Sequence, residues 1–289
     1  MFGALRVLGE LSPAQRTMLA KKRFAGEFTP EALLDQMRAL AAFDRSGDAD
    51  RKKAGRWAVA AFFQVVIGAV ASLFFGRWLL LYSLAMAVTA VVLAFIWYRL
   101  RLSDISKNLG AVALPFVAIL KLDMKPDQTL TVDIDLSEPM LARKRQAASP
   151  KYKRGAYIKI VDTKYADAWF SGSARLADAT VLRWRVVDNI TLSKRTKRTP
   201  RGKYKMSTRQ AKRSVISVAV ALSRKSYAIG PAERSTGAKA TVSASDKNHM
   251  IRLVRKVKSK SLDPLEWRAL VDLVSDAYRR AVPATRSAA

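Results

Sequence analysis

The chain has 289 residues, half of them hydrophobic, and 52 Lys and Arg against 23 Asp and Glu give a formal net charge of +29. This length allows one or two domains, and the apolar content excludes a wholly disordered or collagen-like chain. The chain has no Cys and a single His, which excludes disulfides, thiolate metal sites, cysteine nucleophiles and paired-histidine metal sites.

An N-terminal arm is predicted over residues 1–56, which carry 11 bases and 7 acids. A Ser N-cap precedes Pro13 and a Thr N-cap precedes Pro30, and proline suits the first position of a helix. Apolar residues then recur at helical spacing from Leu33 to Ala41. We expect a small cytoplasmic two-helix arm, which serves either in docking and oligomerisation or as a helical pair lying on the main domain.

Two charge-free stretches follow, residues 57–75 and residues 78–98. Each is long enough to cross the hydrocarbon core of a bilayer as a helix. Trp57, Trp78 and Trp97 stand at the predicted ends, where aromatic rings favour the headgroup layer. The two-residue connection predicts an antiparallel transmembrane hairpin, and a buried helical hairpin in a soluble core is the alternative.

Lys and Arg residues flank the hairpin on both sides, whereas the loop between the two stretches has only Arg77. Because basic residues are enriched in cytoplasmic segments, both termini are predicted to be cytoplasmic. The predicted location is therefore the cell (inner) membrane, with two passes.

Small and polar residues mark a packing seam inside the hairpin, with Gln64, Gly68 and Ser72 as its predicted packing residues. Small residues let two helices approach closely, so the seam serves packing within the hairpin or association between copies. The spans contain no ionisable residue, which disfavours a transporter or channel unless the chain oligomerises.

A basic β domain is predicted over residues 99–262, because the pattern changes to alternating apolar and polar residues. Residues 116–124 and 128–136 are interpreted as a hairpin around a Lys-Pro-Asp turn. Further predicted strands are residues 156–162, 167–176, 179–193, 203–211, 214–223, 239–246 and 250–257. The fold class is therefore an α+β membrane protein whose β domain is an antiparallel sandwich or small barrel.

A C-terminal amphipathic helix is predicted over residues 263–282, followed by a disordered tail at 283–289. Asp263 and Glu266 form a capping-box pattern with proline at the first helical position. One apolar stripe consists of Trp267, Leu270, Val271, Val274 and Tyr278. We expect this stripe to pack on the open side of the β domain.

The strongest functional signal outside the spans is clustered positive charge. The predicted anion- or lipid-binding residues are Arg143, Lys144, Arg145, Lys151, Lys153, Arg154, Lys194, Arg195, Lys197, Arg198, Arg201, Lys203 and Lys205. A third cluster comprises Arg252, Arg255, Lys256, Lys258 and Lys260. The segment 194–205 is expected at the tip of a long hairpin. Such charge suits anionic lipid, an acidic protein partner or, less well, nucleic acid or a nucleotide.

Motifs for catalysis are absent from the sequence, which has no P-loop, no G-x-G-x-x-G, no G-x-S-x-G and no H-E-x-x-H. Asp133 and Asp135 share a predicted strand face that a hard cation could use, but their spacing is not that of an EF-hand. His249 is interpreted as an incidental surface residue. No enzyme activity, cofactor or metal is predicted.

These patterns together predict a non-enzymatic integral membrane scaffold or assembly factor that presents its basic domain to anionic lipid or to an acidic protein. An oligomerising membrane effector that senses a nucleotide or another anionic ligand is the first alternative. A membrane tether for nucleic acid is the second.

Overall fold

The computed structural model describes residues 3–76, 78–102, 105–230, 237–259 and 262–284. The chain divides into a helical unit, Met1–Lys21 with Arg38–Ile105, and a β unit, Lys22–Met37 with Ser106–Ala289. The helices are α1 (Gly3–Glu10), α2 (Pro13–Lys21), α3 (Pro30–Phe75), α4 (Trp78–Leu102), α5 (Leu114–Leu122) and α6 (Arg268–Arg279). The strands are β1 (Arg23–Phe28), β2 (Leu130–Asp135), β3 (Arg145–Ala148), β4 (Tyr152–Arg154), β5 (Tyr157–Arg175), β6 (Val181–Arg198), β7 (Tyr204–Ser223), β8 (Tyr227–Ile229), β9 (Ala238–Ala244), β10 (Asn248–Ser259) and β11 (Ala281–Pro283).

Both predicted helix starts of the N-terminal arm are confirmed, since α2 begins at Pro13 and α3 at Pro30. At α2 the Gln15 backbone N–H donates to Ser12 Oγ at 3.3 Å, and the Ser12 N–H donates to Gln15 Oε1 at 2.8 Å. This reciprocal pair satisfies two N–H groups that the first turn would leave without partners. Helix α3 has 46 residues, so one helix joins the arm to the first apolar stretch.

The two helices of the hairpin meet through small and polar side chains. A Cβ atom placed on Gly68 would overlap Ser83 Oγ, so this position needs glycine for the close approach. Tyr82 donates its hydroxyl hydrogen to Gln64 Oε1 at 3.2 Å, a bond between the helices. Ser72 instead donates to a carbonyl of its own helix at 2.7 Å. Of the predicted packing residues, Gln64 and Gly68 therefore reach across the hairpin and Ser72 does not.

Most large apolar side chains of the hairpin point away from its seam. Buried positions Ala54, Ala61 and Gly68 recur every seven residues along α3, as in a two-helix coiled-coil contact. In contrast, Leu73 is 80% and Leu81 71% exposed. The predicted spans lie inside α3 and α4, and both helices are long and apolar enough to cross a membrane.

The described residues of the β unit form a nine-stranded antiparallel sheet in the order β1-β2-β5-β6-β7-β10-β9, with β3 and β4 also pairing with β5. A separate short ribbon joins β8 to β11. The predicted sandwich or barrel is therefore wrong, because one open sheet holds almost all the strands. The two predicted strands 156–162 and 167–176 are one strand, β5, and 203–211 and 214–223 are one strand, β7.

Strand β1 was not predicted, because its residues were assigned to the helical arm. It pairs with β2 along its whole length, from Arg23 opposite Asp135 to Phe28 opposite Leu130. Only one of its side chains, Phe24, is buried, at 1% exposure. A short edge strand with a single core residue has little periodicity from which to be recognised.

The predicted strand at residues 116–124 is wrong, since these residues lie in α5 and the turn after it. A π-helical turn, Leu109–Ala113, precedes α5. Buried Leu109, Val112, Phe116 and Leu120 lie three or four residues apart on one stripe, which is the helical period. A mainly apolar segment of nine residues is too short for periodicity to separate a buried helix from a strand.

Helices cover one face of the sheet, here called the covered face. The Phe116 ring from α5 lies 5.9 Å from the Phe170 ring of β5 and 5.3 Å from the Trp184 ring of β6, centroid to centroid. Gly172 leaves room for the Trp184 ring, which a Cβ atom would overlap. Helix α6 packs on β7 and β10, as expected. Its buried stripe is Leu270, Leu273 and Ala277, so of the predicted stripe only Leu270 is buried.

The start of the C-terminal helix was predicted too early. Helix α6 begins at Arg268, and Trp267 occupies the N-cap position with no side-chain cap bond, so the capping box at Asp263 does not form. The Asp263 carbonyl oxygen instead accepts a hydrogen bond from Lys212 Nζ. Of the predicted disordered tail, Pro283 belongs to β11 and residues 285–289 lie outside the described residues.

Candidate anion-binding surface

The sheet face opposite the helices is here called the open face. Side chains alternate between the two faces of a strand, and on β6 Leu182, Trp184 and Val186 are buried while Arg183 and Arg185 are exposed. The same alternation continues on β7 and β10. A period-two pattern over four long, paired strands therefore sorts apolar side chains to the covered face and cations to the open face.

Eight of the exposed basic side chains on the open face come from five neighbouring strands. They are Lys164, Arg183, Arg185, Arg213, Lys239, Arg252, Lys256 and Lys258. None of the eight has an ion-pair partner among the described residues. The described residues of β6, β7, β9 and β10 place no Asp or Glu on this face. On β5, Asp162 lies on the same face as Lys164, so the β unit neutralises this array of positive charge only in part.

Like charges stand directly opposite each other at two places in the sheet. Arg213 on β7 pairs in register with Lys258 on β10, and Lys197 on β6 pairs with Lys205 on β7. Directly opposed like charges destabilise a sheet. A bound anion between each pair would relieve this repulsion, so the register itself favours an anionic ligand.

Three shallow depressions lie on the open face. The largest, about 580 Å³, is lined by Lys164, Asn189, Thr191 and Arg213 together with Lys258. A second, about 440 Å³, is lined by Lys239, Thr241, Arg252 and Lys256, and a third, about 320 Å³, by Arg183, Arg185, Ser217 and Arg252. Each combines cations with a hydroxyl or amide group, a set that suits phosphate or carboxylate oxygens.

The first predicted basic cluster is divided by the structure. Arg143 lies 3.1 Å from Asp135 Oδ2 and donates to Ser137 Oγ at 2.7 Å. Lys144 is buried and contacts acidic groups, as described below. The other members of the cluster are exposed on or next to β3 and β4: Arg145, Lys151, Lys153 and Arg154.

The second cluster lies at a hairpin tip, as expected, because β6 and β7 pair from Arg198 opposite Tyr204 down to Val181 opposite Ala221. Five of its seven cations are exposed: Lys194, Arg198, Arg201, Lys203 and Lys205. The other two, Arg195 and Lys197, are half-buried. The Arg195 guanidinium lies 5.5 Å from the centre of the Tyr157 ring, within cation–π distance.

The third cluster contributes Arg252, Lys256 and Lys258 to the open face. Arg255 points to the covered face, where it lies 3.7 Å from Asp272 of α6, and Lys260 lies outside the described residues. The open face also contains cations that the cluster search missed: Lys164, Arg183, Arg185, Arg213 and Lys239. They stand alone or at alternate positions, so no dense run of charge identifies them, and only strand pairing brings them together.

A buried polar network on the covered face was also missed. Lys144, with its side chain 7% exposed, lies 2.7 Å from Asp167 Oδ1 and 3.2 Å from Asp135 Oδ2. Asp188 stands opposite Asp167 in the sheet and accepts a hydrogen bond from Ser214 at 2.6 Å. Burial raises the pKa of Asp167 to about 6; Lys144 opposes this shift, and the neighbouring aspartates add to it. The network is closed off from solvent, so we interpret it as structural.

The acidic pair considered for a cation is engaged within the protein. Arg23 donates two hydrogen bonds to Asp133, at 2.9 Å and 2.8 Å, and Asp135 contacts Arg143 and Lys144. Among the described residues, no group of three or more His, Asp or Glu side chains is arranged to hold a metal ion. Comparison of the chain with protein-family models, curated proteins and solved structures finds no match. The surface is therefore interpreted from its own geometry.

Proposed function

We propose that this protein is a non-enzymatic membrane scaffold that is anchored by a helical hairpin and holds its open face against anionic lipid headgroups. The observation that carries the proposal is the array of exposed cations on the open face, where the described residues of β6, β7, β9 and β10 place no Asp or Glu. Like charges such as Arg213 and Lys258 stand directly opposite each other and repel, and bound counter-anions would reduce this repulsion.

The exposed apolar surface of the hairpin supports a membrane anchor. Only 11% of the apolar window in α3 and 6% of that in α4 are buried, whereas the core helices of soluble proteins are mostly buried. Side chains such as Phe62 (61% exposed) and Leu84 (62% exposed) would face water if the hairpin were not in lipid. Transferring such apolar surface from water contributes roughly 25 cal/mol per Å².

We further propose that both termini are cytoplasmic at the cell (inner) membrane, on the basis of the Lys and Arg residues that flank the spans. The chain has no Cys, so single cysteines give a direct test with a membrane-impermeant maleimide. A cysteine at Gly76 should be labelled on intact cells, and one at Ser173 only after lysis. The reverse pattern would contradict the orientation.

Anionic lipid is favoured because the hairpin keeps the β unit close to a bilayer surface. Each Lys or Arg near such a surface contributes about 1 kcal/mol, an attraction that decays within about 8–10 Å at physiological salt. Among the residues that line the three depressions, none that is exposed is aromatic. A nucleotide base or single-stranded nucleic acid would lack the stacking partner that such sites use.

The proposal is tested by the accessibility of the open face in the full chain. The full chain is placed in nanodiscs with a nitroxide on a cysteine at Ala219. The accessibility of this nitroxide to a neutral, water-soluble nickel chelate is then measured. We expect accessibility to fall when phosphatidylglycerol replaces part of the phosphatidylcholine. The triple variant R183Q/R185Q/R213Q should lose this protection, since removing three cations weakens the attached state by roughly 100-fold.

The matched control removes three exposed cations from loops away from the open face, in the variant K125Q/K225Q/K247Q. It should keep the protection. Protection that is independent of lipid charge, or equal loss in both triple variants, would overturn the proposal. If protection requires an added acidic protein and not phosphatidylglycerol, the partner of the open face is a protein and not lipid.

A further inference from the structure

The tip of the β6–β7 hairpin carries large apolar side chains that nothing in the β unit covers. Met206 is 82% exposed and Tyr204 67% exposed. On the neighbouring strand β5, Ile158 is 41% exposed. Single exposed apolar residues are common on soluble proteins, but several at one extremity of a domain indicate a contact site.

Strand register places these side chains at the same end of the sheet. Tyr204 stands opposite Arg198, and Met206 opposite Thr196, which is itself opposite Lys159 on β5. Ile158 is the extra residue of a β-bulge next to this row. Three strands therefore end together, and two of them, β5 and β7, bring apolar side chains to this apolar edge.

Positive charge surrounds this edge. Residues 194–209 contain eight Lys and Arg and no Asp or Glu. At the start of β7 the apolar side chains alternate with these cations in the order Lys203, Tyr204, Lys205 and Met206, so they point to opposite sides of the strand. An apolar edge within a basic rim matches the boundary between headgroups and acyl chains of an anionic bilayer, where Tyr favours the headgroup level and Lys and Arg contact phosphates.

The backbone of the turn at the hairpin tip is fixed by two hydrogen bonds. The Thr199 backbone N–H donates to the Lys203 carbonyl oxygen at 2.8 Å, and Gly202 donates to the Thr199 carbonyl oxygen at 2.9 Å. Gly202 has a φ of +78°, a conformation that glycine adopts without strain. The tip is therefore preorganised and loses little conformational freedom on binding.

We propose that this hairpin tip inserts into the interfacial layer of an anionic membrane, with Tyr204 and Met206 as the inserted side chains and Lys203 and Lys205 as phosphate contacts. This inference rests on the proposed function, because it names the part of the β unit that penetrates the lipid. A nucleic acid would contact the cations through its phosphates, but Met206 would have no partner in it. Lipid is therefore favoured.

The test uses the full chain in nanodiscs with an environment-sensitive NBD dye on a single cysteine at Arg201, in the turn. In nanodiscs that contain phosphatidylglycerol, we expect emission at shorter wavelength and quenching by lipids brominated in their acyl chains. A dye on a cysteine at Lys225, at the far end of β7, should stay aqueous. That strand has 20 residues, or about 66 Å at ~3.3 Å per residue.

Two variants separate the apolar and charged contributions. With the dye at position 201, Y204S/M206S should lose the quenching although its charge is unchanged, whereas Y204F/M206L should retain it. K203Q/K205Q should weaken the dependence on phosphatidylglycerol. All of these residues are exposed, so the variants should fold like the parent.

The outcomes distinguish this inference from the proposed function. If the dye at position 201 stays aqueous while the nitroxide at Ala219 is protected, tip insertion is wrong and the lipid-bound open face stands. If the dye inserts but the nitroxide is never protected, insertion stands and the proposed function is wrong. A dye that responds to a single-stranded oligonucleotide and not to phosphatidylglycerol would overturn the insertion.

Discussion

The helical hairpin and the β unit arrange their apolar residues in opposite ways. In the hairpin, small residues such as Gly68 fill the seam and large ones such as Leu73 point outward. In the β unit, Trp184 and Phe116 are buried and the open face is lined with Arg and Lys. The same chain therefore contains one part whose large apolar side chains point outward and another whose cations point outward, and substitutions should have opposite effects in the two.

The largest expected effect is in the buried network of the β unit. Lys144→Met would leave Asp167 and Asp135 without their buried cation, because Lys144 Nζ lies within 3.2 Å of both. Breaking a buried ion pair in this way costs about 3–5 kcal/mol. The measurement is the free energy of unfolding of the β unit in detergent-solubilised full chain, followed by tryptophan fluorescence.

The control for this prediction is Arg145→Met, one residue later but exposed. It should change stability by less than about 0.5 kcal/mol. Equal effects of the two substitutions would show that Lys144 is not the buried partner of these acids.

An outward-facing position of the hairpin should not tolerate a charge, whereas the open face of the β unit carries charges at its outward positions. Leu84→Arg would place a cation on the exposed surface of α4 and cost up to about 2.5–3.5 kcal/mol of insertion free energy, the value that applies at the centre of a span. The expected result is loss of the chain from carbonate-washed membranes. Leu84→Phe should remain membrane-bound, and normal retention of Leu84→Arg would contradict a lipid-facing hairpin.

The pH dependence of stability distinguishes a buried acid, Asp167, from the exposed basic surface. The pKa of Asp167 is about 6 in the folded chain against 3.8 for its ordinary value, so the folded state holds its proton to higher pH. This group therefore lowers stability as pH rises from about 4 to 6, by at most about 1.4 kcal/mol per pH unit. Unfolding of Asp167→Asn should lack this component, and an identical pH profile would contradict the raised pKa.

The smallest expected effect concerns the seam of the hairpin. Gly68→Leu would force a side chain against Ser83 and cost about 1–3 kcal/mol through overpacking. The neighbouring change Ala69→Leu adds a similar volume at an exposed position and should be nearly neutral. Thermal unfolding of the two variants in detergent gives the comparison, and equal melting temperatures would contradict the seam.

Local patterns were sufficient wherever a single segment decides its own structure. The apolar runs 57–75 and 78–98, the caps before Pro13 and Pro30, and the alternation in residues 182–190 were all predicted and confirmed. The errors occurred where short segments depend on partners. Residues 116–124 were assigned to a strand because a short, mainly apolar segment fits either structure, and β1 was missed because only pairing with β2 makes it a strand.

The sequence by itself determined the two long apolar helices and the excess of positive charge, since an unbroken apolar run and the net charge do not depend on long-range contacts. Only the tertiary structure decided which cations act together. Pairing of β5, β6, β7, β9 and β10 gathers residues up to 94 positions apart, Lys164 to Lys258, on one face, while folding withdraws Lys144 into the interior. The physical reason is that strand register and burial depend on long-range contacts, which no local window of sequence contains.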